Sequence, residues 1–194
     1  MRNAIILHGR PDKDEYYNPE LPSQSNMEWK PWLQRQLQLK DIIAQTPEIP
    51  MSFDPDYETW KTEFERYDIT LDTVLVGHSC GAGFLVKYLS QHPETRVEKV
   101  VLVAPWLGDD YGGPPTDFFE GYQIDPAIAS RTKGLTVFHS DNDFEAIQIA
   151  VKRLKATLKN ANFKEFHGYG HFCMPHMTTA EFPELLDECL AGDA

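Results

Sequence analysis

The sequence predicts a three-layer α/β/α fold built on about six mainly parallel strands. Short β-branched runs alternate with helix-period segments from one end of the chain to the other, the pattern of a sheet covered by helices on both faces. Several of these runs also lack the in/out alternation of a strand with one wet face, as strands buried on both sides should. Length agrees: 194 residues, 41% of them hydrophobic and 12% aromatic, suffice for one continuous core, so residues 1–194 are read as a single domain.

The strand candidates are Ala4 to Leu7, Asp41 to Gln45, Thr73 to Gly77, Lys99 to Ala104, Leu135 to His139 and Phe163 to Phe166. Between them, apolar residues recur at helical spacing: Trp29, Leu33 and Leu37; Tyr57, Trp60 and Phe64; Ile147, Val151, Leu154 and Leu158; Phe182, Leu185, Leu186 and Cys189. The last of these helices has Thr178 and Thr179 as candidate N-caps and Pro183 where a first turn tolerates it. Two stretches break the alternation and are expected outside the layered core. Residues 10–26 are rich in Pro, Asp, Glu and Tyr, and residues 106–130 mix Gly-Gly-Pro-Pro with Phe118, Phe119 and Tyr122. Long connections of this kind are usually functional or mobile.

Acidic residues outnumber basic ones by 30 to 18, a net charge of -12. That balance keeps a protein soluble and repels nucleic acid and anionic membrane surfaces, so neither is expected as a partner. The first apolar run, Ala4 to Leu7, ends at His8-Gly9 and is too short for a signal peptide or a membrane span. Cys80, Cys173 and Cys189 show no C-x-x-C spacing and cannot all pair, which fits free thiols in a reducing compartment and a cytoplasmic location.

The third strand runs into Gly77-His78-Ser79-Cys80-Gly81, followed by a helical segment with Phe84, Leu85, Tyr88 and Leu89. This is G-x-S-x-G in the strand-to-helix setting that its chemistry requires. A serine on so tight a turn projects its hydroxyl above the sheet edge from a sparsely populated backbone conformation. Glycines two positions to either side let strand and helix approach without a Cβ clash. The helix that follows aims its N–H groups at a developing oxyanion, whose first donor would be the backbone N–H of Cys80. Ser79 is therefore the candidate nucleophile.

A serine hydroxyl needs a base to take its proton and a carboxylate to orient that base. With this elbow the chain order is Ser, acid, His. The fifth strand is followed by Ser140-Asp141-Asn142-Asp143 and the sixth by His167-Gly168-Tyr169-Gly170-His171-Phe172, so both slots are filled. Asp143 is preferred as the acid because it ends its loop just before the next helix; Asp141 is the rival, and either could instead cap that helix. His171, on a Gly-flanked loop that can bend back toward the elbow, is preferred over His167 as the base. His8, His92, His139 and His176 read as surface or hydrogen-bonded core residues, and His78 as packing beside the elbow. His167, His171, Cys173 and His176 could in principle hold zinc, but Gly168 and Gly170 argue against the helix that would align them, and no metal or other cofactor is expected. The second oxyanion donor usually comes from the loop after the first strand, which makes the backbone N–H of Arg10 the candidate, since Pro11 has none.

These residues resemble the retinoblastoma-binding-protein-9/YdeN-like family of small serine hydrolases over nearly the whole chain. Besides Gly77-His78-Ser79-x-Gly81, the likeness includes the two-tryptophan helix at Trp29 and Trp32, the Pro-rich turn leading to Trp60 and Phe64, and Gly170-His171-Phe172. The resemblance implies a minimal α/β-hydrolase fold without a large cap domain, a Ser79, Asp143, His171 triad, and esterase- or peptidase-like hydrolysis of a small ester, thioester, amide or peptide. Competing classes are a protein-binding module that retains the scaffold, and a thioesterase or acyltransferase sharing the triad. Trp106, Phe118, Phe119 and Tyr122 are expected to form an apolar wall over the site, because their segment follows the strand beside the elbow. Nothing in the chain specifies an oligomeric state.

Overall fold

The structure, a computed structural model, describes residues 1–109 and 116–192. Among the described residues six strands form one sheet: β1 (Asn3–Leu7), β2 (Ile43–Gln45), β3 (Thr73–His78), β4 (Val97–Val103), β5 (Thr132–Ser140) and β6 (Asn162–Phe166). Their order is β2-β1-β3-β4-β5-β6, and every neighbouring pair is parallel. Each predicted run is a strand. β2 is shorter than predicted because Asp41 turns into the left-handed region at φ 60°. β4 stops one residue early, at Val103, for the same reason at Ala104, φ 47°.

The helices are α1 (Lys13–Tyr16), α2 (Lys30–Gln38), α3 (Tyr57–Phe64), α4 (Cys80–Gln91), α5 (Glu145–Thr157), α6 (Met174–Met177) and α7 (Pro183–Leu190). Side chains alternate across a strand, so β3 itself shows that both faces are covered. A Cβ on Gly77 would lie 2.6 Å from the backbone of Ala82 in α4, whereas the ring of the next residue, His78, meets Trp29 at the start of α2.

One face is packed by Trp60, Phe64, Phe84 and Tyr88, with Phe64 against Phe84 and Tyr88 at ring separations of 5.4 and 4.9 Å. The other is packed by Trp29, Phe138, Phe172 and Phe182, all buried. Each such side chain contributes about 1.5–3 kcal/mol by leaving water. Lys99, buried on β4, donates its ammonium to the carbonyls of Glu188 (2.7 Å) and Ala191 (2.5 Å), tying the C-terminal end of α7 to the sheet where a cation suits the helix dipole.

Two expectations are corrected. Thr178 and Thr179 do not cap α7: Thr178 ends α6 at φ 57°, Thr179 accepts the N–H of Glu181, and Phe182 takes the cap position without a side-chain bond. Pro183, with its fixed φ, sets the start instead. The 106–130 segment is not wholly outside the core either, because Phe118, Ile128 and Ala129 are buried. Its Gly-Gly-Pro-Pro motif, residues 112–115, lies outside the described residues. Residues 10–26 carry α1, capped by Asp12, whose carboxylate accepts the N–H of Glu15 at 2.7 Å. No helix among the described residues is long and apolar enough to cross a membrane.

Strand order reverses between β1 and β3, and in such sheets ligands bind above the carboxyl ends of the strands at that switch point. The loop after β1 and the β3–α4 turn meet there with no room to spare: a Cβ on Gly81 would lie 2.5 Å from the carbonyl oxygen of His8 and 2.9 Å from that of Leu7. Because neither backbone can yield without shifting β1, Gly81→Ala should cost about 2–3 kcal/mol, read as a fall in the urea midpoint; an unshifted midpoint would contradict this packing.

Candidate active site

Ser79 links β3 to α4 at φ 53°, ψ -115°, a region that a residue with a Cβ avoids. Such a conformation costs on the order of 1–3 kcal/mol and persists only when its surroundings over-determine it. Here they do. The N–H of Ser79 donates to Val103 (2.9 Å), and its carbonyl accepts from Gly83 (3.0 Å) and Trp106 (3.1 Å). The strand end, the first turn of the helix and the loop after β4 thus hold one residue from three directions. The side that faces the β1 loop is close, since a Cβ on Gly9 would lie 3.2 Å from that of Ser79.

Two neighbouring loops carry the candidate acid and base. Nδ1–H of His171 donates to Oδ1 of Asp143 at 2.9 Å, and the Asp143 side chain is wholly buried. The same Oδ1 accepts the N–H of Phe144 at 2.7 Å, so the carboxylate is held just outside α5 and does not cap it.

The preceding three residues grip the His171 loop in the same manner. Oγ of Ser140 accepts the N–H of Tyr169 (3.0 Å), Oδ1 of Asp141 accepts that of Gly168 (3.0 Å), and Oδ1 of Asn142 accepts that of Gly170 (2.8 Å). Asp141 also pairs with the exposed ring of His167 at 2.8 Å. Bonds from the Gly168 amide and His167 lower the Asp141 carboxyl, and Asp141 raises His167. The rival acid and the rival base are therefore partners of each other, on the outer side of the loop.

His171 is buried, and its carbonyl accepts the Nε2–H of His78 at 2.9 Å. The next carbonyl, of Phe172, accepts Nε1–H of Trp29 at 3.1 Å. Beyond them the carboxylate of Glu28 takes the N–H of Met174 (2.5 Å), and that of Glu48 takes the N–H of Ser25 (2.8 Å). Lys30 lies buried among these acids; burial lowers its ammonium to about 8, against the pull of Glu28, Cys173, Glu48 and Glu15.

His8 is fully buried at the end of β1. Nδ1–H donates to the carbonyl of Gly9 (2.7 Å), and Nε2 accepts the N–H of Ile49 (3.0 Å), a pairing that only the neutral ring satisfies.

The remaining predicted residues divide by position. Cys80 opens α4 with its thiol fully buried, and burial pushes that thiol up. Arg10 braces its loop, donating Nε–H to the carbonyl of Phe53 (2.9 Å) with its guanidinium 5.7 Å from the Trp106 ring. Trp106 and Phe119 pack edge to face at 5.2 Å, and the Phe119 ring lies against Gly83 in the first turn of α4, three positions along from the opening cysteine.

Phe118 is not in a wall over the site. Phe118 is 1% exposed and packs on Trp60 at 5.5 Å, while the half-buried Phe119 lies against it edge to face at 4.8 Å. Tyr122 is set back from the elbow, with its ring 5.7 Å from the ammonium of Lys87. Among the described residues no group of three His, Cys, Asp or Glu is arranged to hold a metal ion. His176 packs on the backbone of Gly170, and His167 faces Asp141.

Sequence reasoning missed Ser140 and Asn142 as loop clamps, and the bond from His78. Short polar side chains after a buried strand do bond nearby amides, so Ser-Asp-Asn-Asp carried that signal. The bond from His78 spans 93 positions and left none.

A family model described as Serine hydrolase matches residues 19–184. Among solved structures the chain is similar to the YdeN gene product of Bacillus subtilis, with TM-score 0.73, 20% identity and 96% of each chain covered. It is also similar to a YdeN-like hydrolase of Pectobacterium atrosepticum, with TM-score 0.61, 18% identity, and 97% and 91% covered. Carboxylesterase CesB of Bacillus subtilis has TM-score 0.59 and 13% identity, with 98% of this chain and 84% of that one covered. These likenesses establish a shared fold. No curated protein sequence matches significantly.

Burial lowers His8 from 6.5 to about 4, outweighing the bond to Gly9 and the attraction of Glu48. Between those values the unfolded chain binds more protons than the folded one, so stability rises with pH across the window and is lost on acidification. From this group alone the loss is about 3 kcal/mol between pH 7 and pH 4. Urea unfolding of His8→Gln at a series of pH values should show a correspondingly shallower dependence; equal slopes would mean that His8 titrates normally.

Proposed function

Because the chain belongs to the serine hydrolase family, we propose that it hydrolyses ester, thioester or amide bonds of small substrates through an acyl-enzyme on Ser79. His171 serves as general base and acid, and Asp143 orients it. The observation that carries this reading is the bond from Nδ1–H of His171 to a fully buried carboxylate, at the same end of the sheet as the strained Ser79 turn. That bond commits the Nδ1 proton and leaves Nε2 as the basic nitrogen.

In the first half-reaction Nε2 takes the Ser79 proton while Oγ bonds to the substrate carbonyl carbon. The oxygen that gains charge is met by the backbone N–H groups of Cys80 and Arg10. Nε2–H then protonates the departing alcohol, thiol or amine as its bond to carbon breaks. Water repeats the sequence, giving its proton to Nε2 and its hydroxyl to the acyl carbon, and Ser79 is regenerated. Trp106 and Phe119, beside the first turn of α4, are the aromatic groups best placed to meet an apolar part of the substrate; Tyr122 is a more distant contact.

Likeness in fold to a carboxylesterase makes simple acyl esters the first substrates to test. We read residues 1–194 as one domain on the strength of the single sheet. We place the protein in the cytoplasm on its three free thiols, and its charge of -12 disfavours nucleic acid and anionic membranes as partners.

A fluorophosphonate probe should label Ser79 in the folded protein, and mass mapping to any other residue, or no labelling at all, would overturn the proposal in favour of a binding module. Ser79→Ala should lower kcat on any ester that is turned over by at least ~10³-fold. Asp143→Asn should cost about 10⁴-fold, the effect expected when the base loses its tautomer, whereas Asp141→Asn should stay within about tenfold of wild type. The reverse ranking would make Asp141 and His167 the working pair.

A further inference from the structure

The residue before the nucleophile is bonded to the residue that would activate it. His78 is 4% exposed, and its Nε2 faces a carbonyl oxygen, which can only accept; Nε2 therefore carries a proton. We infer that His78 is a positioning residue for His171: its Nε2–H, donated to the His171 carbonyl at 2.9 Å, fixes the backbone from which the imidazole reaches back toward Ser79. This rests on the hydrolase reading above and deepens it.

Three observations converge on the role. The two rings pack at a centroid separation of 5.0 Å, tilted by 41°, and Trp29 meets His78 edge to face at 5.7 Å. His171 sits between two left-handed residues, Gly170 at φ 51° and Phe172 at φ 56°, so its loop needs outside support to keep that shape. Finally, β3 delivers Ser79 and His78 in consecutive positions, so the link ties nucleophile and base to one rigid strand end, independently of the Asp143 loop. Burial, with smaller contributions from His171, Lys30 and His8, keeps the His78 ring neutral, which spares the imidazolium that forms on His171 a like charge beside it.

The test compares His78→Gln, whose amide nitrogen can reach about where Nε2 lies, with His78→Leu, which lacks a donor, and His78→Asn, whose donor falls short. The readouts are the downfield proton resonance of the His171–Asp143 hydrogen bond, the fluorophosphonate labelling rate of Ser79, and Tm. The Leu and Asn variants should lose or broaden that resonance and slow labelling by about 10- to 100-fold, the usual scale for a residue supporting a reactive group. His78→Gln should restore both to within about threefold. If His78→Leu does not fold, the Asn and Gln pair carries the comparison. A resonance and labelling rate unchanged in all variants, or equal impairment of Gln, Leu and Asn, would overturn the inference. Failure of the hydrolase reading looks different: wild type would go unlabelled at Ser79 while the resonance still responded to the His78 variants.

Discussion

Everything at the carboxyl end of the sheet depends on the backbone of one serine being held where serine does not willingly go. The conformation of Ser79 is unfavourable by itself, and three hydrogen bonds from separate parts of the chain maintain it. Their origins explain the surroundings. Val103 must end β4 level with the turn, Gly83 must begin α4 immediately, and Trp106 must come back over the top; each of these then fixes a neighbour of its own. A loop free to relax would let Ser79 leave this conformation, so the tightness of the turn and the placement of its side chain are one property.

The second half of the site is built on a different principle. Asp143 and His171 belong to loops that contain little regular structure, yet their separation is set by short polar side chains bonded to successive amides. Three consecutive residues, Ser140 to Asn142, accept the amides of Tyr169, Gly168 and Gly170, and Asp143 then bonds the His171 ring. This is a small patch of side chain-to-backbone bonds just beyond the last strand pair, Ser140 with Phe166. Precision comes from number: any one bond contributes only about 1 kcal/mol, but together they leave the loop one way to sit.

The strands were legible because β-branched runs flanked by turn residues admit few other readings, and the elbow was legible because Gly77 and Gly81 bracket Ser79 where close approach forbids a Cβ. What the sequence could not disclose was pairing at a distance. Asp141 and Asp143 occupy one turn two residues apart, and only the folded loops show one facing His167 and the other His171. Phe118 and Phe119 read alike in sequence and their rings touch at 4.8 Å, yet Trp60 on α3 claims the first of them for the core and only the second is half-buried. Thr178 and Thr179 looked like caps because their chemistry suits that role, but Pro183 dictated where α7 begins.

The position of β6 in the sheet has a further meaning. It is the outermost strand on its side, bonded to β5 alone, and none of its five residues is buried. Ser79, by contrast, hangs from β3, flanked by β1 and β4 and buried throughout. Sheets fray from their rims, so thermal opening reaches the segment bearing His171 while Ser79 is still firmly seated. On the proposed mechanism, the molecule would fall silent at a temperature where most of its helices and strands are intact, and cooling would revive it without any need to fold again.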